Sequence, residues 1–533
     1  MNGTPSYWRE TDRVSVSEVA AMAGVGPSAV SNWRKRHPDF PRPRGDSSAG
    51  SVTFQYGEIL AWLRQHGKRH SVPSSKQAIS FWKLASTVRG ELRKDRLLEV
   101  LLQLLVLKRA DSLGDDREPG SPLAAAWRDA VNGEIRPEEI LSSVSAKVAD
   151  RDPDLGRALR PQHGLQQLSE GQFGNLVRHI DQALGDKTDC GQVATSILRE
   201  FNRKLGTRAE FSTHVALEDL MTGLLLPIEG SVLDPACGAA MLLARAWAER
   251  ESDDIRLYGQ EVAEGSWRLG YLHLHLQEAD FELASGDTLR DDRFWSLKAN
   301  RIAAHPPFGQ RPPSDAFSGD DPRWVLGVPG RSTSDFAWTQ HVLYHLADGG
   351  VGVTTTPGGN LEKESTKDLR AALVGTNVLD VVIQLPQGLS HLSSVAIALL
   401  LFQRGRSGRD DSVLFIDGRQ LGTPRKRGMH HLPEPAAAKV LDAVRSWRRG
   451  NFVPEPRFSA SATHDEIKRQ DWHLGPGRYI RYTVTSTDVE KEEMIERWGS
   501  LSQELGRGFE DLQRASREFQ ALVQRVRKAD GHD

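Results

Sequence analysis

The sequence predicts a doubly wound α/β domain of seven strands, preceded by two smaller units and followed by a helical tail. From residue 206 to residue 425, short apolar runs alternate with helical patterns, and this alternation is typical of a mostly parallel sheet with helices on both faces. The chain has 533 residues, which is long enough for several domains with cores of their own.

Each strand is predicted where a short apolar run is bounded by turn or polar residues. The predicted strands cover residues 231–233, 257–259, 301–304, 350–355, 378–384, 395–402 and 413–416. None of these runs could cross a membrane, since a spanning helix needs about 20 apolar residues.

Composition excludes several classes of protein. Hydrophobic residues make up 38% of the chain and charged residues 26%, which is ordinary for a soluble globular protein. The two cysteines, Cys190 and Cys237, supply neither a disulfide scaffold nor a zinc-ligand cluster, so we expect no bound metal. The net charge is −2 and the polar N-terminus lacks the apolar core of a signal peptide. We therefore expect a cytoplasmic chain without membrane contact, whose nucleic-acid surface would be a local patch.

Residues 1–75 form a separate unit with more basic than acidic residues. A short helical pattern at 17–23, a glycine turn at 24–26 and a second helix at 29–36 are typical of a helix-turn-helix, and a β-wing at 51–55 and a third helix at 56–64 follow. The unit resembles the winged helix-turn-helix of excisionase-like and MerR-like proteins. Double-stranded DNA is the expected partner, and the second helix offers polar groups for phosphates and base edges: Ser28, Ser31, Asn32, Arg34, Lys35 and Arg36. The alternative is a small helical unit that docks to a protein.

A helical unit and a helical tail flank the α/β domain. Residues 80–205 have helical patterns throughout, and the helix at 92–108 is apolar nearly all round, which favours burial. Residues 426–485 are expected to be a linker or extension. In the tail, 486–533, apolar residues step by three and four from Trp498 to Val526, as in a coiled coil. This stripe predicts either an intermolecular coiled coil or a helix folded back on its own body.

The loop that follows the first predicted strand has the pattern of a ligand-binding turn. Residues Asp234-Pro235-Ala236-Cys237-Gly238 stand between strand 231–233 and a predicted helix at 240–250. Ligands bind at the carboxyl ends of parallel strands at such junctions, and Gly238 lets a ligand approach the backbone. Glu261 ends the second strand, where a carboxylate can accept hydrogen bonds from ribose hydroxyls.

This loop resembles the Asp-Pro-Ala-Cys-Gly-Ser-Gly motif of the adenine-N6 DNA methyltransferases. Three further segments resemble the same family: Phe211-Ser212-Thr213, Gly259-Gln260-Glu261 and Gly286-Asp287-Thr288-Leu289. The resemblance implies a seven-stranded, Rossmann-like methyltransferase domain that binds S-adenosyl-L-methionine. The implied cofactor-binding residues are Phe211, Thr213, Asp234, Ala236, Gly238, Glu261 and Asp287. Phe211 and Thr213 would hold the methionine end, Asp234 its α-amino group, and Asp287 the adenine amino group.

Two residues near the implied cofactor depart from the family pattern. Ala240 stands where the family has its second glycine, and its Cβ is expected to crowd the methionine moiety. His214 stands where the family has a proline. These departures weaken the expected binding without removing it.

The implied catalytic residues are His305, Pro306, Pro307 and Phe308, where the family has Asn-Pro-Pro-Phe. In that family the target adenine is flipped out, two acceptors bind its N6 hydrogens, and the phenylalanine stacks on the base. A neutral imidazole has only one acceptor nitrogen, and an imidazolium has none. Two alternatives therefore stay open: an active methyltransferase with an unusual acceptor, and a degenerate one that binds cofactor and DNA without transferring methyl.

The resemblance extends over residues 85–420. Within the family, the chain most resembles the modification subunits of type I restriction systems. The first hypothesis is an adenine-N6 DNA methyltransferase in a modification or defence setting, located in the cytoplasm at the nucleoid. No large target-recognition domain follows residue 420, which indicates a specificity subunit, or a homodimer through the C-terminal helix, as partner. The other hypotheses are a DNA-binding transcriptional regulator that binds S-adenosyl-L-methionine, and an assembly subunit whose tail recruits a nuclease or specificity protein.

Overall fold

The structure is a computed structural model of the chain, which divides into two compact units, Met1–Ile480 and Arg481–Asp533. The residues that it describes are 13–16, 19–20, 27–43, 53–66, 94–113, 120–161, 165–184, 189–205, 215–310, 317–330, 332–389, 395–406, 411–424, 430–481, 495–507 and 510–516. Among these residues, no helix combines the length and the apolar character that spanning a membrane requires.

The first described elements share a small core. Strands β1 (Arg13–Ser15) and β2 (Thr53–Gln55) pair antiparallel, and helices α1 (Pro27–Arg36) and α2 (Tyr56–Gln65) accompany them. The core contains Val14, Val30, Phe54, Ile59, Trp62 and Leu63. Of the helix predicted at 17–23, only Val19 and Ala20 lie within the described residues, so the complete helix-turn-helix stays a prediction.

The described parts of residues 94–205 are helical and contain no strand. Their α-helices are α3 (Lys94–Leu113), α4 (Pro122–Asn132), α5 (Pro137–Ala149), α6 (Pro153–Leu159), α7 (Glu170–Ala183) and α8 (Cys190–Leu205). Helix α3 is buried on nearly every side, as its all-round apolar pattern predicts, although it extends beyond the predicted end at residue 108. Prolines at the first turns of α4, α5 and α6 start those helices where no backbone donor is needed.

A nine-stranded sheet forms the centre of the chain, in the order β13-β10-β8-β9-β7-β6-β3-β4-β5. Its strands are β3 (Ile228–Asp234), β4 (Arg250–Glu261), β5 (Phe281–Ser285), β6 (Ala299–Ala304), β7 (Leu346–Pro357), β8 (Leu379–Gln384), β9 (Ile397–Gln403), β10 (Ser412–Asp417) and β13 (Ser459–Thr463). A small separate pair comprises β11 (Thr423–Pro424) and β12 (His430–His431). The strands from β5 to β7 are parallel, whereas β9 is antiparallel to both of its neighbours and β13 to β10.

Helices cover the sheet on both faces. They are α9 (Val215–Leu225), α10 (Met241–Ala248), α11 (Glu264–Leu276), α12 (Asp335–His345), α13 (Lys367–Gly375), α14 (Glu434–Arg448) and α15 (His464–Arg469). Val232 belongs to one hydrophobic cluster and Leu233 to another, because successive side chains of a strand point to opposite faces. The α/β class with helices on both faces is confirmed.

Two expectations about the sheet need correction. All seven predicted strands are present, but β5 and β13 are additional, so the sheet has nine strands. Both lie at the edges, and β5 is mostly partly exposed while β13 consists of small polar residues and alanines, so neither has an apolar run. The sheet also continues past residue 425, where the domain was expected to end. Strand β13 pairs with β10 from Ser412 to Ile416.

The described part of the C-terminal unit is helical at 495–507 and 510–516. Its apolar stripe is exposed to solvent, with Trp498 77%, Leu501 49%, Leu505 63% and Leu512 69% exposed. The other apolar residues of the predicted heptad pattern beyond residue 516 lie outside the described residues. The coiled coil therefore stays a prediction.

A buried ion pair joins the helical region to the α/β domain. Arg268 on α11 donates to Glu99 on α3 at 2.7 Å, and the two side chains are only 5% and 9% exposed. Removing one partner of a buried pair leaves the other charge without compensation.

We expect Arg268→Met to lower the free energy of unfolding by up to about 3–5 kcal/mol, since it leaves the buried Glu99 carboxylate with only a 3.6 Å contact to the partly exposed Arg96. Arg445→Met is the matched control, because Arg445 pairs with Asp442 at the surface, where both side chains are at least half exposed, and should cost about 0–1 kcal/mol. Urea unfolding measures both variants. Equal losses would show that the Glu99–Arg268 pair does not hold the two regions together.

Candidate active site

The predicted site segments meet at one edge of the sheet. Asp234 ends β3, Glu261 ends β4 and His305 directly follows β6. From β3 the chain continues to β4 and β5 on one side of the sheet, and β6 and β7 lie on the other. Ligands bind at the carboxyl ends of parallel strands where the strand order reverses in this way.

The loop between β3 and α10 is held against the end of β4. The backbone N–H of Cys237 donates to the carbonyl of Gln260 at 3.1 Å, and that of Gly238 donates to the Glu261 carboxylate at 2.9 Å. Gly238 has a φ of +54°, which glycine adopts without strain. Within residues 234–240, Ala236 and Gly238 are partly exposed and the other five are buried. The backbone of the loop is therefore accessible at these two positions.

Ala240 does not face the partly exposed side of this loop. It is fully buried and has a left-handed conformation, with a φ of +57°. A Cβ atom on Gly270 of α11 would lie 3.3 Å from the Ala240 Cβ and 2.9 Å from the Gly238 carbonyl oxygen. The methyl group of Ala240 is therefore directed at α11, which corrects the expectation that it crowds a ligand. The glycine at 270 leaves room for it.

Two carboxyl groups lie at the adjacent ends of β3 and β4. Burial raises the pKa of Asp234 to about 7, although the N–H of Ala236 partly offsets this and the nearby Glu261 adds to it. Glu261 is half-buried and accepts hydrogen bonds from the N–H groups of Gly238 and Ala263 at 2.9 and 2.8 Å. This pair of acidic groups favours a ligand that carries a positive charge.

The thiol of Cys237 has no chemical role in this arrangement. Its side chain is buried, and burial raises the pKa of the thiol well above its usual value. A thiol in such surroundings is not a nucleophile.

The segment Gly286–Leu289 is bound to the same loop. The Gly286 N–H donates to the Glu261 carbonyl at 3.0 Å, and the Thr288 hydroxyl donates to the Pro235 carbonyl at 2.6 Å. Asp287 is exposed and accepts from the Leu289 N–H at 3.1 Å. Asp234, Glu261 and Asp287 thus lie on three segments that hydrogen bonds join directly.

Sequence reasoning missed Arg323, which holds the Gly286–Leu289 segment in place through hydrogen bonds to its backbone. Arg323 is 6% exposed and donates to the carbonyls of Thr288 and Leu289 at 2.9 and 2.7 Å. Its guanidinium also pairs with Asp321 at 2.6 Å. The residue belongs to the stretch between the His305–Phe308 segment and α12, for which the sequence predicted no site residue. No motif marks it, because the two carbonyls that it binds stand more than 30 residues away in the chain.

The segment predicted to be catalytic, His305–Phe308, directly follows β6. His305 Nδ1 lies 2.8 Å from the Thr355 hydroxyl on the neighbouring strand β7, and Pro306 is buried. The rings of His305 and Phe308 meet edge to face, with centroids 5.8 Å apart. Pro307 is exposed.

Asp335, at the start of α12, supports the turn that follows the His305–Phe308 segment. One oxygen of its carboxylate accepts from the Gly309 N–H at 2.8 Å, and the other accepts from the Asn360 amide at 3.1 Å. Asn360 is 2% exposed and also donates to the Thr356 hydroxyl at 3.0 Å. This network fixes the turn after Phe308 to the ends of β7 and α12.

His305 is a neutral imidazole at neutral pH, because burial lowers its pKa to about 4. A neutral ring has one N–H donor and one acceptor nitrogen. When Nδ1 donates to the Thr355 hydroxyl, Nε2 is the acceptor. When the hydroxyl donates to Nδ1, Nε2 carries the hydrogen instead. The hydrogen bond with Thr355 therefore affects whether Nε2 is a donor or an acceptor.

The remaining predicted residues are placed less completely. Phe211 and Thr213 lie outside the described residues, as does His214. On α1, the side chain of Ser28 is not described, whereas the other predicted DNA-binding residues are exposed: Ser31, Asn32, Arg34, Lys35 and Arg36.

The sequence matches the family described as N-6 DNA Methylase over residues 186–488. It is 27% identical over 308 residues to the Haemophilus influenzae type I restriction enzyme HindI methylase subunit, covering 56% of this chain and 69% of that one. It is 26% identical over 398 residues to the Methanocaldococcus jannaschii type I restriction enzyme MjaIX methylase subunit, covering 70% and 71%. The structure is similar to a type I restriction-modification system methyltransferase subunit from Streptococcus thermophilus, with a TM-score of 0.64, 19% identity, and coverage of 76% and 99%.

We expect Gly270→Ala to destabilise the protein by about 1–3 kcal/mol, because a methyl group there overpacks the contact with the 234–240 segment. Gly265→Ala on the same helix is the matched control. A Cβ at Gly265 meets nothing within 4 Å, so alanine should be neutral or stabilise α11 by up to about 1 kcal/mol. Thermal or urea unfolding compares the two variants, and equal stabilities would show that the close approach at Gly270 is not a constraint.

Proposed function

We propose that the chain, which belongs to the N-6 DNA methylase family, transfers a methyl group from S-adenosyl-L-methionine to the N6 atom of adenine in DNA. The observation that carries this proposal is the convergence of three acidic residues with the His305–Phe308 segment at the carboxyl ends of β3, β4, β5 and β6. The cofactor supplies an electrophilic methyl group on a sulfonium centre.

Residues on three segments fit the different parts of the cofactor. Asp234 is proposed for the α-amino group, Glu261 for the ribose hydroxyls and Asp287 for the adenine amino group. Ala236 and Gly238 offer a partly exposed backbone between them, so a ligand can approach closely. The acidic pair Asp234–Glu261 also suits the positive charge of the ligand. Phe211 and Thr213 remain proposed contacts for the methionine end.

His305 and Pro306 are proposed to orient the target amino group. Each offers one acceptor, the Nε2 atom of the neutral imidazole and the backbone carbonyl of the proline. Together they can accept from the two N6 hydrogens and direct the nitrogen lone pair at the methyl group. With a pKa of about 4, His305 acts as a hydrogen-bond acceptor at neutral pH rather than as a base. Phe308 is proposed to stack on the flipped base.

We propose that the chain works on double-stranded DNA together with another subunit. The relatives are named as methylase subunits of type I restriction enzymes, which are single parts of larger enzymes. The exposed polar and basic residues of α1 are candidates for DNA contact. The exposed apolar stripe at 495–516 is a candidate for contact with a specificity subunit or with a second copy of the chain.

The decisive experiment measures transfer of labelled methyl from the cofactor to DNA and the appearance of N6-methyladenine. We expect the native protein to be active and His305→Ala to lose about 100-fold or more, since it removes a preorganised acceptor. His179→Ala, at an exposed histidine on α7, should leave the rate unchanged. Absence of transfer by the native protein together with gain of transfer by His305→Asn would show that the native chain is a degenerate methyltransferase.

Thr355 offers a finer test of the same site. Thr355→Val removes the hydroxyl partner of His305 with little change of shape, and we expect about a tenfold slower methyl transfer. Thr355→Ser keeps the hydroxyl and should keep most of the rate. Cofactor affinity should be the same in both variants, because the hydroxyl contacts His305, which is proposed to act on the base.

Cofactor affinity should increase as the pH rises through 7. The raised pKa of Asp234, about 7, means that its carboxyl is protonated below that pH and must lose a proton before it can bind the α-amino group. Below its pKa we expect about a tenfold loss of affinity per pH unit. Calorimetry in buffers of different ionisation enthalpy detects the released proton. Asp234→Asn should lose the pH dependence, whereas Asp287→Asn should weaken binding and retain it.

A further inference from the structure

Three potential metal ligands lie together in the N-terminal unit, far in sequence from the methyltransferase motifs. His37 directly follows α1, Asp39 stands two residues later, and His66 directly follows α2. One ligand atom from each lies within 4.8 Å of the others. His66 Nε2 is 3.1 Å from an oxygen of Asp39, and the two histidine rings meet edge to face with centroids 5.4 Å apart.

The ring of His66 is already oriented for a ligand. Its Nδ1 lies 3.0 Å from the carbonyl of Trp62, one turn earlier in the chain, so Nδ1 is the donor nitrogen. In a neutral ring Nε2 then carries a lone pair, and this lone pair faces the Asp39 carboxylate. Two acceptors at this distance repel each other unless a proton or a metal ion lies between them. A histidine whose far nitrogen donates to a backbone carbonyl is typical of metal sites.

Aromatic packing holds both histidines in place. The His66 ring stacks on Trp62 with centroids 4.3 Å apart, and His37 meets the same indole edge to face at 5.4 Å. Trp62 is only 3% exposed and packs in turn against Phe40 at 4.7 Å. The ligand atoms therefore lie on a rigid base, while Asp39 is exposed and can move towards an ion.

We propose that His37, Asp39 and His66 bind a divalent transition-metal ion such as Zn²⁺. Two imidazoles and one carboxylate suit Zn²⁺, Co²⁺ or Ni²⁺, whereas Mg²⁺ and Ca²⁺ prefer oxygen ligands throughout. A tetrahedral ion at about 2.0–2.1 Å from each ligand draws the ligand atoms to about 3.3 Å of one another, which side-chain rotation can supply. Partial exposure of the three residues leaves the fourth position to water or to an external ligand.

A second cluster of similar residues does not support a metal. Asp292, His341 and His345 also come together among the described residues. However, the Arg323 guanidinium lies 3.3 Å from His341 Nδ1 and 4.0 Å from Asp292, and so supplies the positive charge itself. Both ring nitrogens of His345 are already used, at 2.8 Å from Asp292 and from the Leu297 carbonyl. The sequence led us to expect no metal because only cysteines were considered as ligands. Histidines that are distant in the sequence and come together on folding cannot be found from composition.

The ion would join the C-terminal ends of α1 and α2. Helix α1 carries Arg34, Lys35 and Arg36 in its last turn, directly before His37. Metal binding would thus fix the orientation of the basic end of α1 relative to α2. The consequence for DNA rests on the proposed role of α1, whereas the metal site itself does not rest on the proposed function.

The test titrates the full-length, chelator-treated protein with Zn²⁺ by calorimetry and with Co²⁺ by visible absorption. We expect His37→Ala and His66→Ala each to bind about one equivalent less than the native protein, and the native Co²⁺ spectrum to show the intense bands of a tetrahedral site. His179→Ala is the matched control, because the Nδ1 atom of this exposed histidine also lies close to a backbone carbonyl, at 2.7 Å from Asn175. It should bind as the native protein does.

Asp39→Asn tests the proposal independently if the histidine variants lose their fold. Asp39 is exposed, so the variant should stay folded, as circular dichroism would show, and should bind Zn²⁺ at least about tenfold more weakly because one anionic ligand is lost. Equal metal binding by the native protein, His66→Ala and Asp39→Asn would overturn the proposal. So would a native protein that binds no Zn²⁺ or Co²⁺ at millimolar concentration, because the contact of His66 with Asp39 would then be a salt bridge alone.

Discussion

The close approach of the 234–240 segment to α11 is the constraint on which the candidate site depends. With Gly270 beneath it, the loop can turn through two left-handed residues, Gly238 and Ala240, and still pack against the helix. The same helix is fixed on its other sides. His273 Nδ1 donates to the Ala239 carbonyl at 3.0 Å and Nε2 lies 2.8 Å from the Thr195 hydroxyl on α8, while Arg268 pairs with Glu99 on α3. The helical region therefore supports the backbone of the loop through α11, although it contributes no predicted site residue itself.

Most of the site could be predicted from short motifs because each motif stands at the end of a strand. Parallel strands bring their carboxyl ends to the same edge, so Asp234, Glu261 and His305 meet without any information on long-range contacts. Asp287 follows a strand that was not predicted, and its own motif was sufficient to find it. The α/β fold could likewise be predicted from apolar runs. Only the edge strands β5 and β13, which lack such runs, were not predicted.

The supporting residues could not be predicted, because their roles come from contacts between distant parts of the chain. Thr355 lies 50 residues after His305, and Arg323 lies 35 after the carbonyl of Thr288 that it binds. A buried arginine or threonine has no local signature. The departure from the family pattern at Ala240 was also misjudged, and the consequence of the one at His305 could not be read from the motif. Ala240 is accommodated by a glycine 30 residues later, and His305 is kept neutral by burial, so both substitutions depend on surroundings that a motif does not contain.

Arg323 connects the segment 317–330 to the backbone around Asp287, which is proposed to bind the cofactor. It lies in the stretch that follows His305–Phe308, yet its guanidinium holds the backbone next to Asp287. Whatever free energy one ligand gains from ordering this segment is available to the other, since coupling between two sites is reciprocal. If DNA and the proposed cofactor both order this segment, each must strengthen the binding of the other by the same factor. Discrimination between target sequences would then be detectable as differences in cofactor affinity, before any methyl group has moved.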